Sequence, residues 1–476
     1  MAGLFTGYDA HARTTGSTQS AWDEMFVESD QPRDTYKRIY EALAEMTLDE
    51  LRGRTQALAS SYLAQGVTFD FAGKERPFPL DPIPRLIDGA SWDILDQGVQ
   101  QRVHVLEALL ADIYGPQRAI ADGVIPAHLV SSSTNYLHCA AGVQPPNGAR
   151  CQVSGIDLIR DSNGDWRVLE DNVRIPSGVS YVISNRRVMA QTLPELFAQM
   201  RIKPVGDYPV RLLHALKAAA PQGVSDPTVV VLTPGVFNSA YFEHTLLARL
   251  MGVELVEGRD LFCSNGRVWM RTTAGPERVD VIYRRVDDDF LDPLLFRADS
   301  VLGAPGLMTA ARLGNVTLCN AVGNGVVDDK LMYTYMPALT EYFLGEKQII
   351  PNVRSWRLEE PGALEEVLDR LDEMVVKPVD GAGGKGLVVG PQASATELDA
   401  LRKKLLADPR GWIAQPVVQL STVPTVVTGG VGPRHVDLRP FAVNDGSDVW
   451  VLPGGLTRVA LPEGTQVVHS WAGGRG

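Results

Sequence analysis

The chain has 476 residues, of which 45% are hydrophobic and 21% charged, the balance of an ordinary globular protein. That excludes collagen-like, low-complexity and largely disordered chains, and the length allows roughly two to four domains. Forty-five Lys and Arg against 57 Asp and Glu leave a net charge of −12. Such a chain lacks the electrostatic footprint of a nucleic-acid binder, though cations gathered at one point still hold an anion.

Residues 1–20 read as a polar, flexible tail without the apolar stretch of a signal peptide. No run of about 18 apolar residues is present to span a bilayer. Cys139, Cys151, Cys263 and Cys319 are widely spaced and form no CxxC pair. This argues against a zinc site or a disulfide framework and predicts a reduced, cytoplasmic protein. The sequence does not settle the oligomeric state.

Residues 21–150 read as a helical region. Thr47 followed by Glu50 is a capping box that opens a helix running to about Gln65. Val99, Val103, Leu106, Leu110 and Ile113 recur at helical spacing within 91–122. Between these helices, prolines at 77, 79, 82 and 84 demand an extended connection. No chemistry stands out here, and a helical cap or platform is the expected role.

The texture changes at about residue 151. CQVSGIDLIRDSNGDWRVLEDNVR reads as strand, turn, strand, with Asn163-Gly164 as a two-residue turn. Ser162 then faces Asp165, and counting outward Asp157 faces Glu170 on one side of the hairpin. Asn172 emerges on that same side. Opposed carboxylates repel unless a cation lies between them. Two carboxylates and an amide oxygen are hard ligands suited to Mg²⁺. Arg174, Ser177 and Ser180 follow at once and suit a carboxylate or phosphate.

Residues 206–320 alternate strand, loop and helix. TVVVLTPG, the amphipathic AYFEHTLLARLMG ended by Gly252, VELVEG, RVWMR and VDVIYRR predict a doubly wound α/β unit. Asn238, Ser239 and Glu243 fall near a helix start, where an anionic group is favoured. Arg284 and Arg285 with Asp287, Asp288 and Asp289 form a possible substrate rim at a strand end.

Residues 321–476 predict α+β structure built of hairpins. MVVKPVD is a strand, GAGGKG (Gly381, Ala382, Gly383, Gly384, Lys385, Gly386) a glycine loop, and LVVG the returning strand. The loop is no Walker A motif, because Gly386 stands where Ser or Thr is needed. Its glycines permit close approach of backbone N–H groups to phosphate, and Lys385 adds a cation. Lys377, set in an apolar strand, costs desolvation energy unless an anion pairs with it. Lys330, at a helix start, is a further phosphate cation. Gln415 ends the run WIAQ and suits a hinge whose backbone reads an adenine. HVDLRPFAV places His435, Asp437 and Arg439 on one face. There Arg439 is suited to a transferring phosphoryl group, and Asp437 to metal or to orienting Arg439.

Strand Lys377, GAGGKG, WIAQPVV, HVDLRPFAV and LEDNVRIPSGVSY with upstream Asp157 together resemble the circularly permuted ATP-grasp proteins, a group similar to the glutathionylspermidine synthetase branch. TPGVFNSAYFEH, YRRVDDDFLDP and LPGGLTRVA add to the resemblance, which spans about 30–470. In the usual order the glycine loop precedes the metal-ligand strands, whereas here Asp157, Glu170 and Asn172 come more than 200 residues before it. The resemblance implies ATP held between two α+β subdomains with Mg²⁺ on the phosphates. It implies a carboxylate activated as an acyl phosphate and attacked by an amine, both from small-molecule or peptide substrates. By resemblance Lys330 and Lys377 hold the α- and β-phosphates and Lys385 lies near the outer phosphate. Glu170, Asn172 and Asp157 then hold metal, and Arg439 and Arg174 serve the chemistry. A phosphotransferase of the same fold and a non-catalytic nucleotide-binding scaffold are the alternatives. The resemblance also leads one to expect a Ser/Lys-containing polar segment beyond WAGGRG.

Overall fold

The computed structural model describes residues 4–11, 20–71, 74–77, 79–379 and 386–460. The capping box holds as read: Thr47 Oγ1 accepts from the Glu50 amide, and the Glu50 carboxylate accepts from the Thr47 amide and hydroxyl. It opens helix α1 (Leu48–Gln65), which ends at Gly66 with φ +66°. The Asp88-capped helix α2 (Gly89–Ile113) buries Val99, Val103, Leu106, Leu110 and Ile113. The first twenty residues depart from a frayed tail where they are described. Phe5 and Tyr8 are buried against Phe26 and Tyr40, and the Tyr8 hydroxyl donates to Asp23.

Next come strands β1 (Val153–Arg160) and β2 (Trp166–Asn172), then helix α3 (Val179–Thr192). Helix α4 (Tyr208–Ala218) leads to β3 (Val229–Leu232), α5 (Tyr241–Met251), β4 (Glu254–Val256), β5 (Val281–Arg284) and β6 (Thr317–Cys319). The short helix α6 (Lys330–Thr334) precedes β7 (Trp356–Arg357), β8 (Met374–Pro378) and β9 (Val388–Val389). Helix α7 (Ala395–Ala407), β10 (Trp412–Pro416), β11 (Thr422–Val427), β12 (Gly430–Asn444) and β13 (Val449–Val459) follow.

Three sheets position the site. β3, β4, β5 and β6 form a parallel sheet in the order β6-β5-β3-β4. Strand order reverses between β3 and β5, the switch point at which doubly wound sheets open a crevice beyond the strand ends. RVWMR is a strand, but it belongs to a separate antiparallel sheet of Leu261–Ser264, Arg267–Thr272 and Gly275–Val279. The second sheet is antiparallel, in the order β7-β10-β8-β9. β8 and β9 are the two arms of the hairpin read around the glycine loop.

The third sheet joins residues far apart in sequence. β12 pairs antiparallel with β1, β11 and β13, and β1 pairs with β2. Its Leu158, Leu438 and Ala442 face pack in one core with α2 residues Val103, Leu106 and Leu110. The opposite face carries Asp157, Asp437 and Arg439. Phe441 and Val443 on that face pack with Val179, Val182 and Val188 of α3. An apolar helix therefore seals one side of the sheet and leaves its polar stripe toward the interior of the molecule.

Candidate active site

The β1–β2 hairpin reaches the expected register by a different route. Arg160 faces Trp166, so five residues, Asp161–Asp165, make the turn. The Asp161 carboxylate caps it by accepting from the Asn163 and Asp165 amides. A two-residue turn would place every pair one step further along. A bulge on β2 between Val168 and Glu170 adds the missing residue, and Asp157 faces Glu170 with Asn172 facing Gly155. The two offsets cancel.

Arg439 reaches across from β12 onto this hairpin. Its Nε and Nη2 donate to the two oxygens of Asp157 at 2.5 and 2.8 Å, and its Nη1 donates to the Ser177 carbonyl at 3.3 Å. Nη2 also lies 3.9 Å from the Glu170 carboxylate. Gly155 makes room for this, since a Cβ there would stand 3.3 Å from Arg439 Cδ. Arg458 of β13, which the sequence reading did not single out, is the second cation. It faces Asp437 across the ladder, holds both Asp437 oxygens, and donates to Asp157 at 2.6 Å. Asp437 therefore holds Arg458, with no hydrogen bond to Arg439 among those of the described residues.

These groups titrate as their surroundings dictate. Burial raises the Asp157 carboxyl, but the Arg439 and Arg458 guanidiniums outweigh it and hold it well below the ordinary range. Burial and the Asp157 charge push the Glu170 carboxyl up. Asp437 is raised by burial despite Arg458. The Glu170 side chain is half-buried, with 40% of it reaching solvent. Burial lowers Lys377 of β8 to about 8, with Glu170 opposing the shift and Lys330 adding to it. Glu170, Lys377 and Lys330 thus share one electrostatic neighbourhood, although they come from β2, β8 and the start of α6.

The other anticipated residues have different fates. Gly381, Gly383, Gly384 and Lys385 lie outside the described residues, whereas Gly386 has φ +77°, a backbone conformation that favours glycine, and a Cβ there would stand 3.1 Å from Pro378 Cγ. Gln415 sits within β10 rather than in a hinge, with its amide donating to Ser355 Oγ at 2.9 Å. Arg174 is half-buried and pairs with Asp287 at 3.2 Å, joining the hairpin end to the β5 loop.

Ser180, Arg284 and Arg285 are spent on structure. Glu243, buried in the first turn of α5, accepts from the Gly178 and Ser180 amides, the Ser180 hydroxyl and Arg285. Arg285 also donates to the Pro176 carbonyl. Arg284 is fully enclosed, donating to the carbonyls of Val286, Asn320 and Ala321 and pairing with Asp288 at 2.8 Å. It lines no rim. Asn238 and Ser239 lie in the β3–α5 loop, where Asn238 Oδ1 accepts from the Ala240 amide. Ser177 is half-buried and supplies its carbonyl to Arg439.

The helical first third contributes more than a platform. Arg85 Nη1 donates to the Asp437 carbonyl and to Thr457 Oγ1, on the two strands that carry Arg439 and Arg458. Glu24 holds Arg85 through two hydrogen bonds of 2.8 and 2.5 Å. Only the alternation of charge along β12 and β13 offered a signal for Arg458, and Glu24 and Arg85 gave none.

Among the described residues no group of three or more His, Cys, Asp or Glu is placed to hold a metal ion. Glu170 and Asn172 nevertheless fit one, if phosphate oxygens complete the set. Glu170 is 40% exposed and its contact with Arg439 is long, at 3.9 Å. Asn172 Nδ2 is buried with no hydrogen-bond partner, and a half-turn of the amide presents oxygen there instead. Asp157 fits less well, because guanidinium groups occupy both its oxygens. All four cysteines are free thiols.

A sheet that brings Asp157, Glu170 and Asn172 from an early hairpin against Arg439 from a late strand, beside Lys377 and a glycine hairpin, is the permuted order of an ATP-grasp fold. The family model for circularly permuted ATP-grasp type 2 matches residues 84–460, and the chain belongs to that family. A Mycobacterium tuberculosis protein of uncharacterised function is 58% identical over 471 residues, 99% of this chain and 85% of that protein. One from Synechocystis is 48% identical over 95% of each chain. A Frankia alni protein with a provisional glutamate–cysteine ligase name is 42% identical over 96% of this chain, which spans 53% of that protein's length. Among solved structures, a glutathione synthetase-like effector from Globodera pallida in its apo form matches with a TM-score of 0.59. That match covers 88% of this chain and 96% of the effector at 11% identity, a likeness of fold alone. No helix among the described residues is long and apolar enough to cross a membrane.

Proposed function

We infer that the protein is an ATP- and Mg²⁺-dependent carboxylate–amine ligase. The observation that carries this reading is the convergence of Arg439, Glu170 and Lys377, three chargeable groups from three strands, in one electrostatic neighbourhood. Burying such groups costs free energy that folding alone does not return, so a ligand that uses them is expected.

On this reading the nucleotide lies between the two antiparallel sheets. Lys377 and Lys330 face its phosphates. Magnesium, held by Glu170 and Asn172, screens phosphate charge when bound. Arg439 is fixed by Asp157 and directed toward Glu170, and so offers donors to a transferring phosphoryl group without reorganising. The substrate carboxylate displaces ADP from the γ-phosphorus to give an acyl phosphate. An amine then attacks the acyl carbon, and phosphate leaves as the amide forms. Arg174, half-exposed at the junction with the parallel sheet, is placed to meet the carboxylate. The name of the Frankia relative fits a ligase that joins an acid to an amine, although that chain is about twice as long.

Hydroxylamine trapping with a panel of carboxylic acids tests the reading. An acyl phosphate yields a hydroxamate together with ADP. ADP formed with a stable phosphorylated product and no hydroxamate would identify a phosphotransferase instead. Nucleotide binding without turnover on any acid–amine mixture would leave a scaffold protein.

A further inference from the structure

We propose that Asp157 anchors the arginine pair and is not a ligand of the divalent cation, which Glu170, Asn172 and nucleotide phosphates hold without it. The proposal rests on the functional reading above.

Four observations carry it. First, the Asp157 side chain has no solvent exposure, whereas 40% of the opposing Glu170 side chain is open. Second, its oxygens accept three hydrogen bonds from two guanidiniums, at 2.5, 2.8 and 2.6 Å. A carboxylate offers about four lone-pair sites, so little capacity remains for a metal. Third, the arginines are themselves braced. Arg458 is held by both oxygens of Asp437, and Arg439 Nη1 by the Ser177 carbonyl. Fourth, Gly155 leaves the space through which Arg439 reaches Asp157, since a Cβ there would stand 3.3 Å from Arg439 Cδ.

A cation that took Asp157 would have to displace two buried guanidiniums and leave at least one without its partner. Glu170 demands a smaller exchange, because its contact with Arg439 is long, at 3.9 Å, and its other partner is the Asp157 carboxylate rather than a guanidinium. Asp157 is therefore a positioning residue. It fixes the plane and direction of the Arg439 fork, and Arg458 holds Asp157 in place.

The full-length wild type, Glu170→Gln, Asp157→Asn and Arg439→Met proteins are titrated with Mn²⁺, followed by electron paramagnetic resonance. Each is measured with Mn²⁺ alone and with a non-hydrolysable ATP analogue. The wild type is expected to bind Mn²⁺, and Glu170→Gln to weaken it at least about 10-fold. Asp157→Asn is expected to change Mn²⁺ affinity and analogue affinity by less than about threefold while turnover falls about 100-fold. A loss of Mn²⁺ affinity in Asp157→Asn equal to that in Glu170→Gln would overturn the proposal.

Arg439→Met provides an independent reading should Asp157→Asn fail to fold. If arginine and metal compete for Asp157, Arg439→Met tightens Mn²⁺ binding without nucleotide and adding Asp157→Asn abolishes that gain, and that result also overturns the proposal. Unchanged affinity supports it. The Mn²⁺-only titrations stand whether or not the analogue binds, so failure of the nucleotide reading is seen separately. No Mn²⁺ binding by the wild type under either condition would refute the assignment to Glu170 and Asn172.

Discussion

Two of the buried groupings of arginine and carboxylate among the described residues look alike in sequence and differ in consequence. One gathers Arg439, Arg458, Asp157, Asp437 and Glu170 on the antiparallel sheet. The other gathers Arg284, Arg285, Glu243 and Asp288 at the switch point of the parallel sheet. In the second, the arginines donate to the carbonyls of Pro176, Val286, Asn320 and Ala321, and Glu243 binds the turn that precedes α3. Every member is enclosed, so the cluster is a joint between the parallel sheet and the hairpin. In the first, Glu170 stays open beside Lys377. A charge cluster closed on itself holds a fold together, and one with an open member can hold a ligand.

The largest effects should come from the open cluster. Glu170→Ala or Lys377→Ala should lower ADP release at least about 100-fold, with the melting temperature little changed. Wild-type turnover in either variant would break the distinction. In the closed cluster the same kind of truncation should act on stability. Glu243→Ala leaves Arg285 buried without its carboxylate and should cost about 3–5 kcal/mol in chemical denaturation. The fraction that remains folded should bind nucleotide normally. A stable Glu243→Ala protein that had lost nucleotide binding would place that cluster in the site.

A smaller effect follows from Lys377, whose pKa is depressed to about 8. Below that pH the ammonium is charged and attracts phosphate, and above it the charge is lost. Affinity for an ATP analogue should therefore fall as pH rises through about 8 in the wild type and stay level in Lys377→Arg. For the free protein the sign reverses. The folded state binds fewer protons than the unfolded one between about 8 and the ordinary lysine value, so this group's contribution to stability rises with pH there. The smallest effect is a control far from both clusters. Thr47→Ala removes a helix cap and should cost about 1 kcal/mol with turnover unaltered.

How much of this was legible depended on how local the signal is. The α1 capping box needs four residues, and the buried stripe of α2 needs one helical face, so both could be read. The facing of Asp157 and Glu170 was read correctly from a turn that does not form. The five-residue turn and the bulge on β2 are separate errors in the count that happen to offset. Arg458 escaped notice because its partner Asp437 lies 21 residues away across a hairpin with a bulge of its own. Glu24 and Arg85 lie outside any helix or strand, so no periodic pattern says which distant sheet their ion pair braces. Arg284 and Arg285 misled in the opposite way. Exposed and enclosed arginines are identical in sequence, and only the carbonyls that converge on them distinguish a joint from a rim.

The most direct test of the open cluster as a nucleotide site is a calorimetric titration of the full chain with a non-hydrolysable ATP analogue, with and without Mg²⁺. Saturable binding at one site per chain, strengthened by Mg²⁺ and lost in Lys377→Ala, is the predicted result. A well-folded wild-type protein that binds no analogue under either condition would contradict the account.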